Sequence, residues 1–337
     1  MGSMRMRWVP WLWGMAGLLG LAAAQAQDGS LRERLRERAE VRAATGPTAA
    51  SLARPGTHRL TVRHDGRLRE ALVHVPPAIA GGRPLPVVMA FHGGGGSMEY
   101  QAGEAYGLVD KADRAGFIAV FPNGTGALRA NGKLATWYAG HCCGRARDDA
   151  VDDVGFVRAL VAELKRRLPV DAARIHATGM SNGGMMAHRL ACDAADLFAS
   201  VAAVAGTDNT TACTPSRPIP VLHIHALDDA HVLYGGGAGP DAFRDPSKVT
   251  DFTSVPETIT RWTRRNGCSA PPQRVLTVPG AWCERHDGCS GGAAVQLCVT
   301  ETGGHSWPGA PAVRRGKPPP SQALSANDVM WDFFGGR

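Results

Sequence analysis

The stretch Ile175-His176-Ala177-Thr178-Gly179-Met180-Ser181-Asn182-Gly183-Gly184-Met185-Met186 runs from a short apolar strand through G-x-S-x-G into a helical pattern. A serine hydroxyl is a weak nucleophile at its free pKa, so a catalytic serine must be lifted clear of the sheet with a base beside it. Gly179 and Gly183 let strand and helix approach closely around a strained turn. The helix beginning at Asn182 turns free backbone N–H groups toward developing negative charge. The stretch reads as a nucleophile elbow centred on Ser181, the turn that sits at the top of a parallel sheet.

The flanking sequence supplies that sheet. Thr57 to Arg63 and Leu68 to Val75 bracket Asp65-Gly66, a strong hairpin signal, and predict two antiparallel strands at the start. Apolar runs then alternate with helical patterns: Pro86 to Phe91, a helix around Ala105 to Arg114, Gly116 to Pro122, and a helix face of Val154, Val157, Leu160, Val161, Leu164 and Leu168. Asp152 and Asp153 open that last helix, and Lys165, Arg166 and Arg167 close it before Pro169. Beyond the elbow, Ser200 to Gly206, Val221 to His225 and Val295 to Thr300 are expected strands. Helices are expected at Pro256 to Asn266 and Ala326 to Phe334. This rhythm predicts an α/β fold with a mostly parallel central sheet, helices on both faces and an N-terminal antiparallel hairpin. Asn123 to Ala150 is the longest irregular stretch, a length that is usually functional.

A serine nucleophile in such a sheet needs an acid and a histidine from loops after later strands, in the order Ser, Asp, His. Asp228-Asp229 follows the strand ending at His225, and Gly303-Gly304-His305-Ser306-Trp307-Pro308-Gly309 follows the strand ending near Glu301. Two preorganised N–H donors must hold the oxyanion. One is expected from Asn182 and the other from Phe91-His92-Gly93-Gly94-Gly95-Gly96, whose glycines allow the backbone to approach a substrate carbonyl. No G-K-[ST] follows these glycines, so they are not a phosphate loop. His92 itself is expected to be structural.

Arg5, Arg7, the apolar run Trp8 to Ala24 and the small-residue site Ala24-Gln25-Ala26 predict a secretory leader over residues 1–26. An N-terminal helix and linker are expected over 27–55 and a catalytic domain over 56–337, with no membrane anchor once the leader is cut. Losing Arg5 and Arg7 and no acids takes the formal charge from +7 to +5. The remaining cations are scattered among acids and form no basic stripe, so no nucleic-acid partner is expected. Eight cysteines behind an export signal predict disulfides rather than metal ligands, and no cofactor or metal is expected. Connectivity stays open, although Cys192 and Cys213 bracket one helix, strand and loop and are candidates to close it.

Taken together, F-H-G-G-G-G, W-Y-A-G-H-C-C-G, D-D-V-G-F, G-M-S-N-G-G-M-M, H-A-L-D-D and G-G-H-S-W-P-G resemble the secreted esterase family that groups poly(3-hydroxybutyrate) depolymerases with feruloyl and acetylxylan esterases. The resemblance runs from about Gly56 to Phe334. It implies an alpha/beta-hydrolase fold with Ser181 as nucleophile and His305 as base. The family pattern H-G-x-x-D, laid on His225-Ala226-Leu227-Asp228-Asp229, implies Asp229 as the acid, with Ala226 standing where the pattern has glycine. The second oxyanion donor falls on Gly94, with Gly93 as the alternative. The implied reaction is hydrolysis of a carboxylic ester through an acyl-enzyme, acting as a secreted protein in the extracellular or periplasmic space. The substrates in view are hydroxyalkanoate oligomers or polysaccharide-linked esters. Trp307 and Trp137 are expected to line the acyl site. No polymer-adsorption module is evident, so soluble esters are expected to be cut faster than crystalline granules.

Overall fold

Alternation along the central strands sets the layering. In the strand Leu85–Phe91, the side chains of Val87, Met89 and Phe91 enter one hydrophobic cluster while Val88 and Ala90 enter another, on the opposite face. Successive strand residues point to opposite faces, so a strand buried on both sides reads as a continuous apolar run. In a computed structural model, the described residues are 52–126, 134–242, 250–310 and 319–336. They belong to one compact unit, Pro47–Arg337. The expected leader and the charged segment Leu31 to Arg38 lie outside the described residues.

Ten strands form the main sheet: β1 (Gly56–His64), β2 (Arg67–Val75), β3 (Leu85–Phe91), β4 (Ile118–Pro122), β5 (Val170–Met180), β6 (Ser200–Val204), β7 (Val221–Ala226), β8 (Gln273–Val278), β9 (Ala281–His286) and β10 (Val295–Thr300). Their order is β1-β2-β4-β3-β5-β6-β7-β10-β9-β8. The inner strands β4, β3, β5, β6, β7 and β10 pair in parallel. The expected hairpin β1–β2 joins antiparallel at one end. A second hairpin, β8–β9, joins antiparallel at the other end and had no counterpart in the sequence reading. β8 is largely exposed and carries a register shift between Arg274 and Leu276, so it shows no clean apolar period.

Among the described residues, five helices of eight or more residues cover the sheet: α1 (Leu108–Ala115), α2 (Asp153–Arg167), α3 (Asn182–Asp193), α4 (Val255–Arg265) and α5 (Ala326–Phe333). α2, α3 and α4 bury Phe156, Leu160, Met186, Leu190 and Trp262 on one face; α1 and α5 bury Leu108, Ala112, Met330 and Trp331 on the other. Asp152 caps α2 by accepting the Gly155 N–H at 2.8 Å. Neighbouring Asp153 is buried and pairs with Arg69 at 2.8 Å while accepting the Tyr138 N–H, which ties the long loop to the sheet. All eight cysteines are paired: Cys142–Cys143, Cys192–Cys213, Cys268–Cys289 and Cys283–Cys298.

The Cys192–Cys213 bridge closes a loop with a sequence separation of 21, from the end of α3 across β6. Chain entropy puts its worth at about 3 kcal/mol. The Cys192→Ala/Cys213→Ala double variant is therefore expected to unfold at lower denaturant with little change in turnover, as measured by urea titration beside an activity assay.

Candidate active site

Every piece of the site comes from the C-terminal edge of the parallel strands, where the crevice of an open α/β sheet lies. β5 ends at Met180, and Ser181 makes the turn into α3 with φ 57° and ψ −123°. A non-glycine residue is rarely found there, and such strain persists only where the surroundings over-determine it. They do so here: the Ser181 N–H donates to Val204 O at 2.8 Å, and the Ser181 carbonyl accepts the Met185 N–H at 2.9 Å.

The glycines around the turn have no room for a side chain. A Cβ on Gly183 would lie 2.0 Å from Phe91 O and 2.7 Å from His92 O; one on Gly179 would lie 2.5 Å from the Gly183 backbone. Gly206 is equally tight, 2.1 Å from Ser181 O. Gly183→Ala is accordingly expected to cost roughly 3 kcal/mol or more, read as a shift in thermal unfolding together with loss of turnover.

β7 and β10 are parallel neighbours, with Ala226 opposite Thr300, so the loops that follow them emerge side by side. That register brings Asp229 to His305: His305 Nδ1 lies 2.8 Å from Asp229 Oδ2. Asp229 is buried, and its Oδ1 accepts the backbone N–H groups of His231 at 2.8 Å and Val232 at 3.0 Å. Burial alone would raise this carboxyl, but hydrogen bonds from His225 and His305 outweigh it and hold Asp229 well below the usual carboxylate range. Asp228 does something different. It is exposed, and its two oxygens accept the N–H groups of Gly303 at 3.2 Å and Gly304 at 2.8 Å, pinning the loop that carries His305.

The glycine loop after β3 lies against the elbow. A Cβ on Gly93 would be 3.5 Å from Ser181 Cβ, and one on Gly94 would be 3.6 Å from Asn182 Cβ. Gly95 and Gly96 are held by N–H bonds to Ala135 O at 2.8 Å and Gly93 O at 3.0 Å. The N–H groups of Asn182, Gly183 and Gly184, in the first turn of α3, precede the first intrahelical bond. His92 is fully buried: its Nδ1 is 2.8 Å from Gly93 O, its Nε2 accepts the Gly124 N–H at 3.0 Å, and burial lowers its pKa to about 4. It shapes the loop, as expected.

The two tryptophans part company. Trp307 lines the cavity beside His305 together with Tyr100, Tyr106, Met180 and His231, and its Nε1 donates to Asn327 at 3.0 Å. Trp137 is a correction to the sequence reading. It is fully buried and absent from the cavity wall, donating through Nε1 to His92 O at 3.0 Å. Its backbone exchanges hydrogen bonds with the Asn182 side chain at 2.7 and 3.0 Å. Trp137 thus braces the glycine loop and the start of α3 from below. The sequence reading did not single out Tyr100 and Tyr106, or His231, whose ring stacks on His305 at 4.6 Å and 12°. Among the described residues no group of three or more His, Cys, Asp or Glu is placed to hold a metal ion.

Residues 69–230 match the family described as esterase PHB depolymerase. The chain is 34% identical over 290 residues to "Putative esterase NocK" of Nocardia uniformis subsp. tsuyamanensis, covering 80% of each. It is 30% identical over 245 residues to feruloyl esterase B of Piromyces equi, a match that takes in 71% of this chain but spans only 42% of that protein. In three dimensions it resembles an acetyl xylan esterase from Aspergillus awamori, with a TM-score of 0.54 at 14% identity, covering 83% of this chain and 99% of the other. At that identity the likeness speaks to the alpha/beta-hydrolase fold alone. Sequence match, fold and the strained serine at the strand–helix turn converge, and the chain belongs to the esterase PHB depolymerase family.

Proposed function

We propose that the protein is a serine carboxylic-ester hydrolase in which Ser181 attacks the ester carbonyl, His305 takes the serine proton, and Asp229 holds the imidazole in its productive tautomer. The observation that carries this reading is the pairing of a strained Ser181 with an Asp229–His305 hydrogen bond of 2.8 Å on the same sheet edge. With Asp229 accepting at Nδ1, the His305 Nε2 lone pair is free to act as base. The tetrahedral oxyanion then rests on the backbone N–H groups of Asn182 and Gly94. Collapse expels the alcohol, protonated by His305, and leaves an acyl-Ser181 that water hydrolyses by the same steps. Trp307, Tyr106, Tyr100 and Met180 give the cavity an aromatic, apolar wall suited to an acyl or aryl group.

For the substrate we propose short esters, either hydroxyalkanoate oligomers or feruloyl and acetyl groups on polysaccharide fragments, hydrolysed by an exported protein. The relatives' names support an ester; the aromatic wall favours an acyl group that can stack. A panel of p-nitrophenyl acetate, methyl ferulate and a 3-hydroxybutyrate trimer, with p-nitroacetanilide as the amide control, tests the reading. Turnover of the esters is expected to exceed that of the anilide by several orders of magnitude. Equal turnover of ester and anilide would make the protein a peptidase-like amidohydrolase, and no turnover of either would leave a binding protein with a hydrolase fold.

A further inference from the structure

Three buried histidines lie behind the Asp229–His305 pair in a single line. His188 sits on α3, and His223 and His225 sit two apart on β7, hence on one face of that strand. All three are essentially inaccessible to solvent. Trp262 Nε1 lies 2.9 Å from His188 Nδ1, His188 Nε2 lies 3.3 Å from His223 Nδ1, and His223 Nε2 lies 3.1 Å from His225 Nδ1. His225 Nε2 then faces two acceptors, Val232 O at 2.8 Å and Asp229 Oδ2 at 3.3 Å.

The two ends of the line decide where its protons sit. An indole N–H can only donate, so His188 Nδ1 must be bare and accept from Trp262. The His188 proton is then on Nε2 and points at His223, whose Nδ1 must accept; the same logic passes to His225. At the far end a carbonyl and a carboxylate can only accept, which requires the proton on His225 Nε2. Both ends therefore demand the same arrangement, with every ring neutral, every proton on Nε2 and the last donor shared between Val232 O and Asp229 Oδ2. Burial agrees with neutral rings, taking His188 to about 4 and His223 well below its ordinary value.

We infer that His225, oriented by the relay Trp262, His188 and His223, is a positioning residue that donates a hydrogen bond to Asp229 and holds its Oδ2 in line with His305 Nδ1. The inference rests on the reading of Asp229 and His305 as acid and base. The relay enforces at His225 Nδ1 what the two acceptors ask of Nε2: a proton moved to Nδ1 would face the His223 donor and present a lone pair to the carboxylate. Such a contact would repel Asp229 and turn it away from His305. A chain of aligned donors also polarises along its length, which strengthens the last bond in the line.

Ester kinetics on His225→Phe and His225→Gln test this, with NMR of the histidine ring nitrogens in the wild-type protein. Phe keeps a ring of similar size and removes both polar atoms; Gln keeps a donor and an acceptor. His225→Phe is expected to lower kcat on the order of 10- to 100-fold, the effect of losing one hydrogen bond to a charged group, with KM nearly unchanged. His225→Gln is expected to recover much of that loss, and the wild-type spectrum should show His188, His223 and His225 in the neutral Nε2–H form. Equal loss in both variants would mean that packing and not donation matters, and would overturn the inference; so would a His225→Phe variant with wild-type kcat. If His225→Phe does not fold, the spectrum decides alone, since an Nδ1–H tautomer at His225 rules out donation to Asp229. Turnover that survives Ser181→Ala would instead defeat the underlying esterase reading. Ser181-dependent turnover indifferent to His225 would defeat this inference only.

Discussion

Ser181→Ala is expected to lower kcat on a soluble ester by about 10,000-fold or more while KM and thermal unfolding stay near wild type. The size of the effect follows from what one hydroxyl is asked to do. In the proposed mechanism it forms and breaks the covalent bond to the acyl group, so its loss removes the path itself and leaves only the rate that substrate binding and the oxyanion donors supply. The fold should tolerate the change. The strain at Ser181 is backbone strain, held by the bonds to Val204 and Met185 and by the close approach of Gly179, Gly183 and Gly206, none of which involves the hydroxyl. Steady-state kinetics beside circular-dichroism melts separate the two readouts. Substantial turnover left in a folded Ser181→Ala protein would place the nucleophile elsewhere.

The second large effect is expected at Asp229, with its neighbour as an internal control. Asp229→Asn should lower kcat by about 10,000-fold, because an amide oriented by the N–H groups of His231 and Val232 turns its NH2 toward His305 and favours the wrong tautomer. Asp228→Asn should cost about tenfold or less, since one oxygen remains to accept from Gly303 or Gly304 and hold the histidine loop. Measuring kcat for both variants on one ester distinguishes the roles. A larger loss at Asp228 would make it the acid and Asp229 a buried loop anchor.

The amino-acid sequence is informative where structure is set locally. The elbow was legible because its chemistry is local: the glycines two residues either side of Ser181 are forced by contacts with Phe91 and with each other, and the strand and helix flanks carry their own periods. The parallel core was legible from runs such as Val87 to Phe91, apolar throughout because each face of the sheet meets helices. The residues themselves left Asp228 and Asp229 together and only the family resemblance chose Asp229, since their difference lies in which one turns inward beneath His305. Trp137 was misread for a similar reason. A tryptophan in a long glycine-rich loop suits a substrate wall or a brace equally well, and only the tertiary position of Asn182 and the His92 carbonyl makes it the brace. The hairpin β8–β9 escaped notice because an exposed edge strand with a register shift needs no apolar alternation. The histidine line from α3 to β7 is assembled across a sequence separation of 35 residues and has no local signature.

The proposed mechanism stands on one serine, held in a strained turn, as the activated nucleophile. Treatment of the folded protein with a fluorophosphonate, followed by peptide mass spectrometry, tests it most directly. One adduct per chain is expected, on the peptide containing Ser181, formed in step with loss of ester turnover and absent from Ser181→Ala. An adduct on another serine, or full loss of turnover with Ser181 unmodified, would contradict it.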